Sequence, residues 1–508
     1  MEWFVYLLSA LITLATAIYF ASKWRFSYWQ RRGVAQLNPE FFYGDCRGML
    51  TGDLSIGETF LDFYKKFRSK GLKYGGVYVS YRCDLVPVDP ALIKDIMVKN
   101  FDHFTAHFPK STSKSILSKN LFGLEGEQWK STRKHLTPAF SSGKMKMMYE
   151  TMLIKADGID KMLDTFSSSR EPTDIKEILQ RLTIDVIANV GFGVDSSAID
   201  DPDTEFVRQG RSISAPPKNR ESYWGLFLRM LNVRRMRKDF SDSEMFFKSL
   251  VTDSIEYREK NKINRKDFIH LMIQLKNKGK VTDDADIFTK TENLKTAFDD
   301  DNITAQCLLF FIAGFETSAT TMTFAIFELA QHPEIQEKIR QEANEVLERH
   351  GGKLTYEAMM ELTYTESVIE ETMRKYPPVP AIPRCCTKDY TIPGTDTVIA
   401  KGTSMFIPAW GLHMDPEYFP EPETFDPDRF SPENKKMIRE YTYLPFGEGP
   451  RMCLGLRFGI MQSKVGLVTI VRKYKLSLNE KTAVPVKMVR DNLILAAQGG
   501  IWVNVQKI

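Results

Sequence analysis

Two long apolar runs and several short alternating ones organise the chain. From Trp3 to Ser22 the sequence WFVYLLSALITLATAIYFAS carries no charge. At ~1.5 Å per residue such a run crosses a ~30 Å hydrocarbon core as a helix. Lys23, Arg25, Arg31 and Arg32 follow at once, with Trp24, Tyr28 and Trp29 as interfacial aromatics. Positive flanks stay on the cytosolic side, so the body is expected there, with the N-terminus across the membrane. Ala15-Thr16-Ala17 resembles a signal cleavage site, but the charges come after the run and the run continues past that site, which favours a retained anchor. The second run, Asn302 to Gln331, is apolar on every side in its first half and ends at His332-Pro333. It predicts a helix of ~45 Å through the centre of a domain. A second membrane span is the rival, but Glu316 at its midpoint would cost about 3 kcal/mol in lipid.

Between these runs, Val77 to Tyr81 and Leu85 to Val88 predict a small hairpin, and helical periods dominate from Pro90 for about three hundred residues. Val398 to Ile407 and the last segment, Leu493 to Val505 with Gln498-Gly499-Gly500, also predict hairpins. The fold class expected is mainly α with a small β-sheet region and a single N-terminal transmembrane helix. The expected divisions are an anchor at 1–22, a basic linker at 23–44 with Pro39 as its one hinge signal, and a catalytic domain at 45–508. Ser212 to Phe240 mixes Pro216-Pro217, an apolar patch around Trp224 and a basic run at Arg229 to Lys238. It suits either a helix pair with a solvated basic face or a lid dipping into anionic lipid. Asp283 to Asp301 is acidic and polar, most simply a loop.

Composition narrows the class. The 508 residues are 43% hydrophobic and 26% charged, with a formal net charge of +4, which gives no general reason to expect nucleic-acid binding. Six cysteines (Cys46, Cys83, Cys307, Cys385, Cys386, Cys453) are sparse and unevenly spaced, unlike a disulfide framework and in keeping with a reducing compartment.

The candidate chemistry gathers at Pro445-Phe446-Gly447-Glu448-Gly449-Pro450-Arg451-Met452-Cys453-Leu454-Gly455. A cysteine ahead of a helix meets free N–H groups and a positive dipole end, which favour the thiolate. The glycines let the backbone turn sharply or approach another body. A lone cysteine is most often an inert buried residue. Zinc would need further Cys or His nearby, and a phosphate loop would end Gly-Lys-Ser/Thr. A thiolate in a glycine cage suits a flat, soft-metal cofactor, with haem iron the leading candidate. Elsewhere, Trp129 and Arg133 share a predicted helix face, which a surface cation on an indole would equally explain. Ala313-Gly314-Phe315-Glu316-Thr317-Ser318 places an acid and a hydroxyl within the apolar helix, where polar groups are expensive unless used. Thr317 bonding back to a carbonyl one turn earlier is the plain alternative. Glu371 and Arg374 form an i,i+3 pair just before Pro377-Pro378.

The pattern Phe-Gly-x-Gly-x-Arg-x-Cys-x-Gly resembles the haem-binding loop of the cytochrome P-450 superfamily of haem-thiolate monooxygenases, and Ala-Gly-x-Glu-Thr-Ser resembles that family's oxygen-activation motif. The stretch LEGEQWKSTRKHLTPAFSSGKMKMM is similar to microsomal enzymes of the insect family-6 type and their vertebrate drug-metabolising relatives. The motifs follow the family's order over nearly the whole chain, which implies the P-450 fold and haem b. The resemblance makes Cys453 the axial ligand, and Trp129, Arg133, Arg384 and Arg451 the propionate partners. It has Gly447 and Gly449 admit the porphyrin, Phe446 cover the thiolate side, and Glu316 and Thr317 relay protons. It also implies a buried structural triad of Glu371, Arg374 and Arg429.

No flavin or nicotinamide motif is present in the chain. The resemblance therefore implies an NADPH-dependent microsomal flavoprotein reductase as electron donor, with cytochrome b5 as an additional partner, the reductase docking near Lys130, Lys134, Lys144 and Lys146. It also implies an endoplasmic reticulum membrane location and lipophilic substrates: plant toxins, insecticides or endogenous lipids. The alternatives are a haem-thiolate isomerase or dehydratase, which typically lacks the acid–alcohol pair, and a non-catalytic, membrane-anchored haem sensor or carrier.

Overall fold

The helix Asp300–Leu329 runs through the largest apolar cluster, and the other elements wrap around it. Its start is set by the Asp299 carboxylate, which accepts from Asn302 N, supplying one of the bonds that free helix N–H groups lack. Phe311, Phe315 and Phe324 are buried on it, as a helix apolar on every side requires. Helices Ile175–Ile187, Asp242–Asn261 and Leu456–Lys473 pack against this central helix. The computed structural model describes residues 2–109, 115–214, 241–265, 267–281, 287–289, 291, 298–490 and 492–508. Most of the 212–240 region, including Trp224 and the basic run, and much of the acidic 283–301 stretch lie outside the described residues.

The small sheets frame this helical body. Strands β1 (Tyr74–Val79) and β2 (Arg82–Pro87) form the predicted hairpin around a two-residue turn, Ser80-Tyr81. Strands β3 (Thr173–Asp174), β4 (Ile382–Cys385), β5 (Tyr390–Thr391), β6 (Val398–Ile399), β7 (Ser404–Ile407), β8 (Tyr474–Leu478) and β9 (Trp502–Lys507) complete three sheets. Their orders are β1-β2-β7-β4, β3-β9-β8 and β5-β6.

The other two expected hairpins do not form. β6 pairs with β5, while β7 joins β2 and β4 in another sheet. The turn at Gly402 thus hands the chain from one sheet to the next. β9 pairs with β8 and β3, and Ala497 bridges Met488 instead. β7 pairs four residues with β4 and two with β2, and β9 pairs five with β8 and two with β3, register choices that alternation within one segment cannot encode.

The helix Glu2–Arg25 carries the first apolar run, exposed almost all round, and is a candidate membrane span. The central helix meets the same length and composition criteria, but two-thirds of its apolar window is buried in the protein (67%). It is a core helix. Within the segment expected to link anchor and body, Phe26, Trp29 and Val34 are buried against Tyr78 and Leu85 of the first sheet.

Candidate active site

The cysteine loop is shaped by three backbone turns: Gly447 N to Leu444 O (3.1 Å), Met452 N to Gly449 O (2.9 Å) and Cys453 N to Phe446 O (2.9 Å). Gly447 and Gly449 have φ of 69° and 72°, a region that side chains other than glycine rarely adopt. At Gly449 a Cβ would also lie 2.1 Å from Met97 O, so glycine is required twice over. Gly455 caps the following helix, and its N–H lies close enough to the Cys453 sulfur to favour the thiolate. Burial pushes the thiol up, opposed by that N–H and by the Arg133 charge. Although enclosed by protein, Cys453 keeps free surface. So does Ala313, midway along the buried central helix, with Leu309, Ile312, Gly314 and Thr317 partly open beside it. Free surface at such places means internal space. Gly459 stands between the two walls: a Cβ there would sit 3.9 Å from the Phe446 ring and 4.0 Å from Ser318 Oγ.

Three guanidinium groups gather beside this loop. Arg384 is 1% exposed; its Nη1 donates to Pro383 O (2.8 Å) and to His107 Nδ1 (3.2 Å), while Nε and Nη2 are buried without a partner. Burial pushes its pKa down to about 10. Arg451 lies 4.5 Å over the Trp129 ring and donates to the carbonyls of Thr105, Leu121 and Leu124, leaving Nε unpartnered. Burial, with Arg384 and Arg133 adding repulsion, pushes it to about 9. Arg133 is lowered by burial too. Among the described residues no carboxylate ion-pairs with any of the three. Buried like charges with orphaned donors call for an anion, and a flat group carrying two carboxylates fits them. A haem is a group of that kind, and Cys453 is the soft side chain beside the arginines that could hold its iron. Among the described residues no three His, Cys, Asp or Glu side chains gather as a cage for another metal.

His107 belongs to this cluster, and the sequence carried no sign of it. Its Nδ1 lies 3.2 Å from both Arg384 Nη1, a donor, and Pro383 O, an acceptor, so one tautomer serves the guanidinium and the other the carbonyl. Burial, then Arg384 and Arg451, hold it well below the usual histidine range, so the ring is neutral; it stacks on Phe122 at 3.9 Å. Only folding brings a lone histidine between two arginines.

The acid and alcohol of the central helix lie side by side in sequence but face different partners. Glu316 is ion-paired with Lys176 Nζ (2.7 Å) and accepts from Gln180 Nε2 (2.7 Å), both on helix Ile175–Ile187. Thr317 Oγ1 donates to Ala313 O (2.5 Å), the plain alternative for a helical threonine. In this conformation neither side chain bonds the other.

The triad residues do meet. Arg374 grips Glu371 through Nε (2.7 Å) and Nη2 (2.8 Å), both residues fully buried, and Arg429 Nε stands 3.5 Å from Glu371 Oε1. Asp426 N also donates to Glu371 (2.9 Å). The group reaches the cysteine loop through His413, a second residue that sequence reasoning missed. Arg374 Nη1 donates to His413 O (3.0 Å), His413 Nδ1 meets Arg374 O (3.2 Å), and Leu444 N donates to His413 Nε2 (2.8 Å). Because Nε2 accepts, the ring proton sits on Nδ1. Leu444 O then receives Gly447 N–H. The ion pair is thus tied to the loop through one neutral imidazole.

Comparison with known proteins agrees with this geometry. The family model for Cytochrome P450 matches residues 51–503. The chain is similar to Cytochrome P450 6k1 of Blattella germanica, 37% identical over 501 residues, covering 97% of this chain and 95% of that one. It is 36% identical to Cytochrome P450 6a2 of Drosophila melanogaster over 513 residues, covering 99% of each. To Cytochrome P450 6A1 of Musca domestica it is 35% identical over 517 residues, covering 100% and 99%. A family model across most of the chain and relatives of 35–37% identity over nearly its full length lead to one assignment: the chain belongs to the cytochrome P450 family of haem-thiolate monooxygenases.

Proposed function

We propose that this chain is a membrane-bound monooxygenase that inserts one oxygen atom of dioxygen into lipophilic substrates with NADPH-derived electrons. The observation that carries the reading is the cluster of Arg133, Arg384 and Arg451 beside Cys453, none of them ion-paired with a carboxylate among the described residues. When bound, haem b supplies the oxygen chemistry. The protein's own work is binding, orientation, dryness and proton supply. Cys453 Sγ would hold the iron, and the three arginines with Trp129 would fix and neutralise the propionates. Phe446 screens the sulfur from water. Leu309, Ile312 and Ala313 offer an apolar wall, which suits a lipophilic substrate and keeps the site dry. Thr317 Oγ1 carries a proton it now shares with Ala313 O; passing it on requires a swing away from that carbonyl. Glu316 can resupply it after releasing Lys176 and Gln180.

Electrons arrive from an NADPH-dependent flavoprotein reductase, with cytochrome b5 as a second donor. An acidic reductase face would meet Lys134, which has no ion pair among the described residues, whereas Lys130 is held by Asp102 and Glu127 and Lys146 by Glu357. Lys134→Glu should therefore weaken the salt dependence of reduction, and an unchanged dependence counts against docking there. The helix Glu2–Arg25 anchors the protein in the endoplasmic reticulum membrane with the body on the cytosolic face. Similarity to insect family-6 proteins supports toxins, insecticides or endogenous lipids as substrates. The first test is spectroscopic: the reduced, carbon monoxide-treated protein should show the red-shifted Soret band of thiolate ligation, and Cys453→Ser should lose it. Wild-type protein without that band would end the reading.

A further inference from the structure

The helix Glu2–Arg25 does not hang from the body by a loose tether. Its last turns are bonded to the tip of the β1–β2 hairpin: Ser22 Oγ lies 3.1 Å from Tyr81 OH, and Arg25 Nε donates to Tyr81 O at 2.8 Å. The Phe26 ring stacks on Tyr81 with centroids 5.1 Å apart and planes 7° from parallel. Immediately beyond, Trp29 is 0% exposed, its backbone N–H donating to Tyr78 OH (3.2 Å) and its indole N–H to Val77 O (3.4 Å). The indole lies over Gly76, where a Cβ would come within 2.2 Å of the ring. Gln36 then donates to Phe26 O (2.8 Å) and accepts from Tyr78 OH (2.9 Å). From Ser22 to Gln36 the chain is held at nearly every turn by partly or fully buried contacts. A flexible linker would show none of this.

The same contacts set a depth. Residues Trp3 to Phe20 are unburied, and Ser22 is the first buried residue of the helix, so a bilayer holding this helix ends near Ser22 to Arg25. Tyr81 touches both, which puts the hairpin tip at headgroup level. Beside that tip Ser80 N donates to Tyr43 O (3.1 Å) and Ser80 Oγ to Phe42 O (3.0 Å), drawing the Phe41–Phe42 pair to the same level. Phe41 is 40% exposed and Trp24 67%. Arg31 lies 4.6 Å over Trp24 and Arg32 4.1 Å over Tyr28. Exposed aromatics among arginines are the chemistry of a bilayer interface.

We propose that the anchor helix is clamped to the body through Tyr81, so that the bilayer holding the helix also seats the Ser80–Tyr81 turn and the Phe41–Phe42 pair at headgroup depth. The inference rests on the reading of Glu2–Arg25 as a membrane anchor. The clamp fixes how the body sits on the membrane, and with it the direction from which a lipid-dissolved substrate arrives.

The experiment uses the full-length holoenzyme in phosphatidylcholine vesicles, with Phe41→Cys labelled by an environment-sensitive fluorophore and nitroxide quenchers on the lipid headgroups. A second protein carries a Gly-Ser-Gly-Ser insertion between Ser22 and Lys23, which frees the helix and leaves Phe26 and Trp29 packed. A third carries Tyr81→Ala. Quenching should be at least threefold stronger in the parent than in either variant, each of which should still float with vesicles. Equal quenching in all three would overturn the clamp, and no quenching in a parent that floats would overturn the seating at headgroup depth. A parent that does not float with vesicles would instead refute the anchor reading on which both rest.

Discussion

Replacing His413 by leucine tests whether the buried ion pair holds the cysteine loop in place. The two side chains are similar in volume, so the change removes hydrogen bonds with little change in packing. Leu444 N–H loses its acceptor and Arg374 O loses the ring N–H, at a site where His413 is 0% exposed and Leu444 1%. A buried group left without a partner costs about 1–3 kcal/mol. If about 2 kcal/mol of this falls on local opening of the loop, its amides should exchange roughly 30-fold faster. The assay is hydrogen exchange of a peptide spanning Leu444 to Cys453, whose Gly447 and Cys453 N–H groups are both bonded within the loop. The pH dependence carries a sign as well. Burial, then the Arg374 charge, push His413 down to about 3. A histidine depressed in the folded state contributes stability above its unfolded pKa of ~6.5 and loses it as pH falls through the folded value. Loop protection, corrected for intrinsic exchange, should therefore hold between pH 7 and 8 and weaken by about 2 kcal/mol by pH 5. His413→Leu should abolish that dependence. Unchanged loop exchange with stability lost elsewhere would refute the connection through His413.

Two further outcomes follow from the site. Arg384→Ala removes a guanidinium with two orphaned nitrogens and should speed haem loss to apomyoglobin at least tenfold while relieving repulsion on Arg451; a stability gain without faster haem loss would mean that the arginine does not meet the cofactor. Thr317→Ala should divert NADPH to peroxide in the reductase-coupled reaction, and unaltered coupling would remove Thr317 from proton supply.

The reach of local pattern is clearest in the elements whose partners lie within themselves. The Glu2–Arg25 and Asp300–Leu329 helices follow from uninterrupted apolar runs, and the β1–β2 hairpin from alternation around a short turn. The glycines and cysteine of the loop, the arginine at 451 and the Glu371–Arg374 pair were legible because each motif is short and its chemistry needs particular residue types. Pairing over distance was not legible: β7 and β9 take partners from remote segments, which alternation within one segment cannot specify. Nor was the occupation of Glu316 by Lys176 and Gln180, which depends on a helix more than a hundred residues away.

What the sequence by itself determined is the class of chemistry and the two helices that frame it, since both rest on residue type at close spacing. Tertiary structure alone decided which charges go unpaired. Arg133, Arg384 and Arg451 become a site for an anion only when folding buries them together. His107 and His413 gain their roles because neighbours distant in sequence keep each ring neutral and, for His413, fix its tautomer. The hold of Tyr81 on Ser22 and Arg25 is of the same kind: residues at the end of the apolar helix find partners in a sheet that forms elsewhere in the chain.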